Sequence, residues 1–229
     1  MKTTLFKFAA AGCLFFLSFG VSAQTAKWDS TYRPGSYELK VAQFNMFANS
    51  PKDIIFLGNS ITAGTDWHEL LDMPNAKNRG ISGDITFGVL ERLDEVIEGK
   101  PAKVFVLIGI NDVSRNIPDE VILANYSKII DRIQEGSPKT KIYFQTLLPT
   151  NSSFGKFKNH YNKEEHVLNI NKGLKELAAK EKIILIDLYP NFLDSENRMD
   201  ARYTYDGLHL NAEGYKVWKS VLEKGGYLK

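Results

Sequence analysis

The sequence predicts an α/β protein of three layers, with helices on both faces of a parallel sheet of about five strands. Three observations carry that prediction. Four short apolar runs, DIIFLG from Asp53, KVFVLIG from Lys103, KIYFQTLL from Lys141 and KIILIDL from Lys182, are continuous instead of alternating, as expected of strands covered on both faces. The segments between them carry apolar residues at helical spacing, and strands alternating with helices imply right-handed crossovers in a parallel sheet. The size agrees, since 229 residues, 43% hydrophobic and 24% charged, suit one globular domain with a sizeable core.

The first 23 residues read as a secretory signal peptide. Lys2 and Lys7 form a positive start, FAAAGCLFFLSFG is the apolar stretch, and VSA ending at Ala23 is the small-residue pattern that signal peptidase accepts. A single domain over 24–229 and a secreted or periplasmic location are therefore expected. The apolar run is shorter than the roughly 20 residues of a bilayer span, so no membrane span is expected. AAGC at Ala10 to Cys13 loosely matches a lipoprotein processing site, but the apolar run continues past Cys13, which favours cleavage after Ala23. Cys13 is the only cysteine, so the mature chain would have no disulfide and no cysteine metal site.

RPGSYELKVAQFNMFANSP, from Arg33, is expected to form an extra helix whose Tyr and Phe residues make core contacts. DIIFLG gives the first strand, and the weaker run AKNRG before Ile81 a second. FGVLERLDEVIEG from Phe87, DEVILANYSKIIDRIQEG from Asp119 and KEEHVLNINKGLKELAAKE from Lys163 give the intervening helices, and NAEGYKVWKSVLEKGG from Asn211 closes the domain. No repeat, low-complexity tract or Pro/Ser linker marks a second domain. The net charge of +2 is spread along the chain, which leaves no concentrated basic face for nucleic acid.

In an open parallel sheet, ligands bind outside the carboxyl ends of the strands. Ser60, in FLGNSITAGT, falls just past the first strand at an expected helix start, where backbone N–H groups and the macrodipole favour a developing alkoxide. The same stretch admits two other readings. Ser60 also reads as an ordinary helix cap, and SITAGT resembles the phosphate-holding loop of flavodoxins, which would make Ser60, Thr62 and Thr65 phosphate ligands.

Later strand ends bear on that choice. YDGLHLNAEGY places Asp206 and His209 three residues apart before the last helix, so that one turn brings the carboxylate to Nδ1 and leaves Nε2 to face a hydroxyl. Acyl transfer also needs donors for the oxyanion. Gly83, in NRGISGDIT, offers a backbone N–H with no side chain in the way, and Asn111, in VLIGINDVS, offers an amide.

With these residues in place, the chain resembles the SGNH or GDSL hydrolases, a family of esterases with a flavodoxin-like sheet. GNSIT, GISGD, GIND and DGLH match its four blocks in order, and the resemblance runs from about Asp53 to Tyr215. It implies Ser60 as nucleophile and backbone oxyanion donor, Gly83 N–H and the Asn111 side chain as the rest of the oxyanion hole, His209 as base and Asp206 as its orienter. One departure is Asn59, where the Asp of the GDS pattern usually stands; Asn makes similar turn hydrogen bonds, so activity is expected to survive. The motif is not G-x-S-x-G, which argues against an α/β-hydrolase elbow.

A serine esterase acting through an acyl-Ser60 intermediate is thus expected. Secreted bacterial members of the family often deacetylate carbohydrates, and the polar, aromatic-interleaved loop PTNSSFGKFKNHYN suits sugar hydroxyls and ring faces. A small-molecule or glycan ester is the expected partner, with an acetyl group on a carbohydrate or sialic acid preferred. The alternatives are a lysophospholipase- or thioesterase-like acylhydrolase of lipids, a flavin-binding electron carrier and an inactive glycan-binding protein. Trp67 and His68 follow the nucleophile segment and are candidate substrate-binding residues. His160 and His166 have no partner at metal-ligand spacing, so no metal or cofactor is expected, and Asp84 and Asp112 read as turn and cap groups.

Overall fold

Five parallel strands, β1 (Ile54–Gly58), β2 (Ala76–Gly80), β3 (Lys103–Leu107), β4 (Lys141–Gln145) and β5 (Ile184–Ile186), hydrogen-bond in the order β2-β1-β3-β4-β5. The computed structural model describes residues 28–229, so the expected signal peptide and Cys13 lie outside the described residues. The helices are α1 (Tyr37–Met46), α2 (Ser60–Ala63), α3 (Trp67–Leu71), α4 (Thr86–Glu91), α5 (Leu93–Glu98), α6 (Ile110–Ser114), α7 (Asp119–Gly136), α8 (Glu164–Glu181) and α9 (Ala212–Lys224). The three α/β/α layers are those expected from the alternating pattern, the flavodoxin-like order is the one the family resemblance implies, and none of these helices is long and apolar enough to cross a membrane.

The register brings the strand ends level. Gly58 pairs with Gly80 on one side and with Leu107 on the other, so the chain leaves β1, β2 and β3 at one rim. The order reverses at β1, the topological switch point where such sheets open a crevice. Gly58 must be glycine, because a Cβ there would collide with the Leu107 carbonyl and the Thr62 side chain.

The core is aromatic where β1 and β3 are covered. Phe56 stacks on Trp67 at 3.8 Å between centroids and on Phe105 at 4.9 Å, and Trp218 of α9 meets Trp67 edge-on at 4.8 Å. α1 buries Tyr37 and Phe44 in a separate small cluster with Ile81, and the Tyr37 hydroxyl donates to the Gly88 carbonyl at 2.7 Å. Phe47, expected with them in the core, is instead 52% exposed, with the Arg79 guanidinium 5.5 Å from its ring.

Two elements differ from the sequence pattern. FGVLERLDEVIEG forms two helices, broken at Arg92 (φ −98°, ψ 12°). The Arg92 side chain turns inward there, donating to Asp84 Oδ2 at 3.0 Å and to the Gly58 and Arg79 carbonyls at 3.1 and 2.9 Å. β5 pairs over only three residues of KIILIDL, because it is an edge strand that leaves Ile184 at 38% exposure.

Candidate active site

Ser60 opens α2 immediately beyond β1, and Asn59 caps that helix, its Oδ1 accepting from the Ile61 N–H at 3.0 Å. That is the acceptor role an Asp would fill, while the Asn59 Nδ2 is buried with no partner among the described residues. The Ser60 Oγ lies 2.9 Å from His209 Nε2, and His209 Nδ1 lies 2.8 Å from Asp206 Oδ2.

The Asp206–His209 turn folds for local reasons. Asp206 Oδ1 accepts from the N–H groups of Leu208 and His209 at 3.0 and 2.7 Å, an Asx turn that swings the imidazole back over its own carboxylate. Gly207 has φ +82°, and a Cβ on it would strike the Asn151 carbonyl, so the turn requires glycine. Thr204 closes the base of the turn, donating to the His209 carbonyl at 2.6 Å and accepting from the Gly207 N–H at 2.8 Å. Burial pulls the Asp206 carboxyl upward, but hydrogen bonds from the His209 N–H, the His209 ring and the Leu208 N–H outweigh it and hold the group below its ordinary value. It is therefore an anion at neutral pH.

Gly83 and Asn111 stand at the ends of β2 and β3. Gly83 has φ +82°, and neither its N–H nor that of Ser60 is taken up by a turn, cap or side-chain hydrogen bond among the described residues. Asn111 is buried; its Nδ2 donates to the Asp84 carbonyl at 2.9 Å, and its Oδ1 lies 3.0 Å from His160 Nε2.

Beneath these donors lies a layer in which Asp84 and Asp112, read from sequence as turn and cap groups, do accept backbone N–H groups, but their long-range side-chain partners were not legible. The Asp84 carboxylate and the Arg92 guanidinium, both fully buried, pair at 3.0 Å. Asp112 reaches from α6 to cap α4, accepting from the Thr86 N–H at 3.0 Å and from its hydroxyl, while Asn125 Nδ2 donates to the Thr86 hydroxyl at 2.9 Å. Burial pushes the Asp112 carboxyl up to about 7. These acids are long-range tethers, and no periodicity in the sequence links residues as far apart as Thr86 and Asp112.

The rim of the site is aromatic. Phe157 meets the His209 ring edge-on at 5.1 Å, and Tyr205, 58% exposed, lies parallel to it at 6.0 Å. Trp67, a candidate substrate residue on sequence grounds, does not line the site. It is fully buried, its indole N–H donating to the Thr62 carbonyl at 3.0 Å while its ring stacks on Phe56. His68 is half exposed on α3 with Glu69 4.0 Å away, and neither residue makes a hydrogen bond or ring contact with Ser60 or His209. His166 pairs with Asp119 at 2.9 Å, and no cluster of three or more potential metal ligands occurs among the described residues.

An imidazole bound at one nitrogen to a carboxylate and at the other to a serine hydroxyl can take the serine proton as the oxygen attacks an acyl carbon. Such a site on such a sheet defines the class of serine acyl hydrolases. The chain belongs to the GDSL-like Lipase/Acylhydrolase family, whose model matches residues 56–217. It is 29% identical over 194 residues, 80% of this chain and 82% of the relative, to platelet-activating factor acetylhydrolase IB subunit alpha2 of Rattus norvegicus. A Streptococcus pneumonia structure named for platelet activating factor superposes with a TM-score of 0.76 at 28% identity, over 83% of this chain and 92% of that one. An acetyl xylan esterase shares the fold, with a TM-score of 0.64 at 22% identity over 76% of this chain and 98% of that one. The protein is accordingly an esterase-type hydrolase.

Proposed function

We propose that Ser60 is the nucleophile of this hydrolase and that its substrate is a small acyl ester, acetyl, on a carbohydrate or sialic acid. One observation carries the catalytic assignment: His209 lies within hydrogen-bond distance of both Ser60 and Asp206. His209 takes the Ser60 proton as Oγ attacks the ester carbon. The oxyanion is met by the N–H groups of Ser60 and Gly83 and by Asn111 Nδ2. His209 then protonates the leaving alcohol, and water, activated by the same imidazole, releases the acyl group.

Two things support a small acyl group on a polar acceptor. The relative and the neighbour whose names state a substrate both specify acetyl. The loop carrying Phe157 and His160 borders the triad, and a cleft of about 440 Å³ lined by Arg115, Lys156, Phe157, Lys158, Asn159 and His160 opens beside it. Its hydrogen-bond donors, positive charges and one aromatic face suit a polyol bearing an acid group. The family's name, which includes lipases, favours a second reading, hydrolysis of a lipid ester.

Ser60→Ala is expected to lower kcat on a short acyl aryl ester by about 10⁶, as loss of a serine nucleophile does elsewhere, and to abolish fluorophosphonate labelling. Little loss of rate would overturn the assignment. Acetylated neutral sugars, acetylated sialic acid, lysophospholipids and long-chain esters, compared by kcat/KM, test the substrate, and a preference for long chains would overturn the glycan reading. The reading extends to export by cleavage after Ala23, with lipidation at Cys13 as the alternative; sequencing the mature N-terminus should return Gln24 first.

A further inference from the structure

We propose that His160 is a positioning residue of the oxyanion hole: its Nε2–H donates to Asn111 Oδ1 and fixes the amide plane that aims the second Nδ2–H at the reacting carbonyl. This rests on the acyl-serine reading above.

The polarity of the contact follows from the neighbour on the other side. A backbone carbonyl only accepts, so the amide atom 2.9 Å from the Asp84 oxygen must be nitrogen. The atom facing His160 at 3.0 Å is then Oδ1, which also only accepts, and His160 must present a protonated Nε2 to it. Burial first, and then the nearby His209 and Arg115, lower the His160 pKa to about 4, so the imidazole is neutral at working pH and holds its one proton on Nε2.

His160 is itself held in place. Its ring packs edge-on against Phe157 at 5.8 Å, its backbone N–H donates to the Phe157 carbonyl at 2.8 Å, and the adjoining Tyr161 hydroxyl donates to the Asp206 carbonyl. One short segment therefore touches the oxyanion donor, the base through Phe157, and the backbone of the base's partner. The terminal torsion of an asparagine is broad, and Asp84 alone ties only one end of the amide. His160 ties the other end. Oxyanion stabilisation depends on donors being oriented before the reaction begins, so the contact acts on the transition state and leaves substrate binding largely unchanged.

A double-mutant cycle with Asn111 tests this. With a short acyl aryl ester, which lacks the polyol assigned to the cleft beside His160, His160→Ala in the wild-type background is expected to lower kcat by about 10- to 100-fold, the scale of a small misplacement at a reacting centre, with KM nearly constant. In the Asn111→Ala background the same change is expected to lower kcat by less than about twofold, because its target is gone. His160→Gln, which restores a donor, should recover most of the rate and guards against a fold defect. Equal losses in both backgrounds, a change confined to KM, or no recovery by Gln with an unaltered melting temperature would each overturn the proposal. Failure of the acyl-serine reading is distinguishable, since it would show as a Ser60→Ala protein that keeps its rate.

Discussion

Asn111 reaches the proposed reaction centre from a buried network, whereas His209 reaches it from a four-residue turn. The oxyanion half is fastened through partners on other elements, 27 residues away for Asn111 and the Asp84 carbonyl, 26 for Asp112 and Thr86, and eight for Asp84 and Arg92. The base half is fastened chiefly within its own turn, with the Tyr161 hydroxyl on the Asp206 carbonyl and the Asn151 N–H on the Gly207 carbonyl as its ties from outside. Asp206 accepts two backbone N–H groups of its own turn and the ring of the histidine it orients, and exposed Tyr205 covers one face of that ring. Damage to the base half should therefore stop the chemistry and spare the fold, while damage beneath the oxyanion half should loosen both.

The sharpest test of that contrast is Asp206→Asn. The new amide oxygen can still accept the N–H groups of Leu208 and His209, so the turn should survive, but Nδ2 would face Nδ1 and force the wrong tautomer on His209. A loss of about 10⁴ in kcat is expected, with the melting temperature little changed; a large drop in melting temperature would show that the turn depends on the carboxylate for its fold. Next comes Arg92→Met, which leaves Asp84 buried without its cation. Urea denaturation should register a loss of about 3–5 kcal/mol, and a loss below about 1 kcal/mol would mean that the oxyanion half does not depend on that pair. Asn111→Ala should lower kcat by about 10²–10³ at nearly constant KM; a fall of only a few-fold would remove it from the oxyanion hole. Tyr205→Ala should change kcat/KM by less than about tenfold, the scale of one aromatic contact, and a larger effect would mean that the cover on His209 takes part in substrate binding.

The fold was legible because its signals are local. Continuous apolar runs gave β1, β3 and β4, helical spacing gave α7 and α8 over the residues read from sequence, and AKNRG coincides with β2. The break at Arg92 was not legible, because a residue pattern that suits one helix does not say that a guanidinium will be drawn inward by an acid eight residues earlier and by carbonyls at two strand ends. Trp67 shows the same limit: a tryptophan seven residues after Ser60 could line a site or fill a core, and only Phe56 and Trp218 on other elements placed it in the core.

At the candidate site, the residue types and their order along the chain were set by sequence alone: a serine, a glycine and an asparagine each following a strand, and an Asp-x-x-His before the last helix. Their convergence depended on the level strand ends at Gly58, Gly80 and Leu107, which long-range pairing imposes. Arg92 and Thr86 belong wholly to that second level, as do the contacts of His160 with Asn111 and of Phe157 with His209, although their loop was marked from sequence. Sequence periodicity encodes which face of an element is buried, whereas hydrogen bonds between distant side chains exist only once the sheet has brought their backbones together.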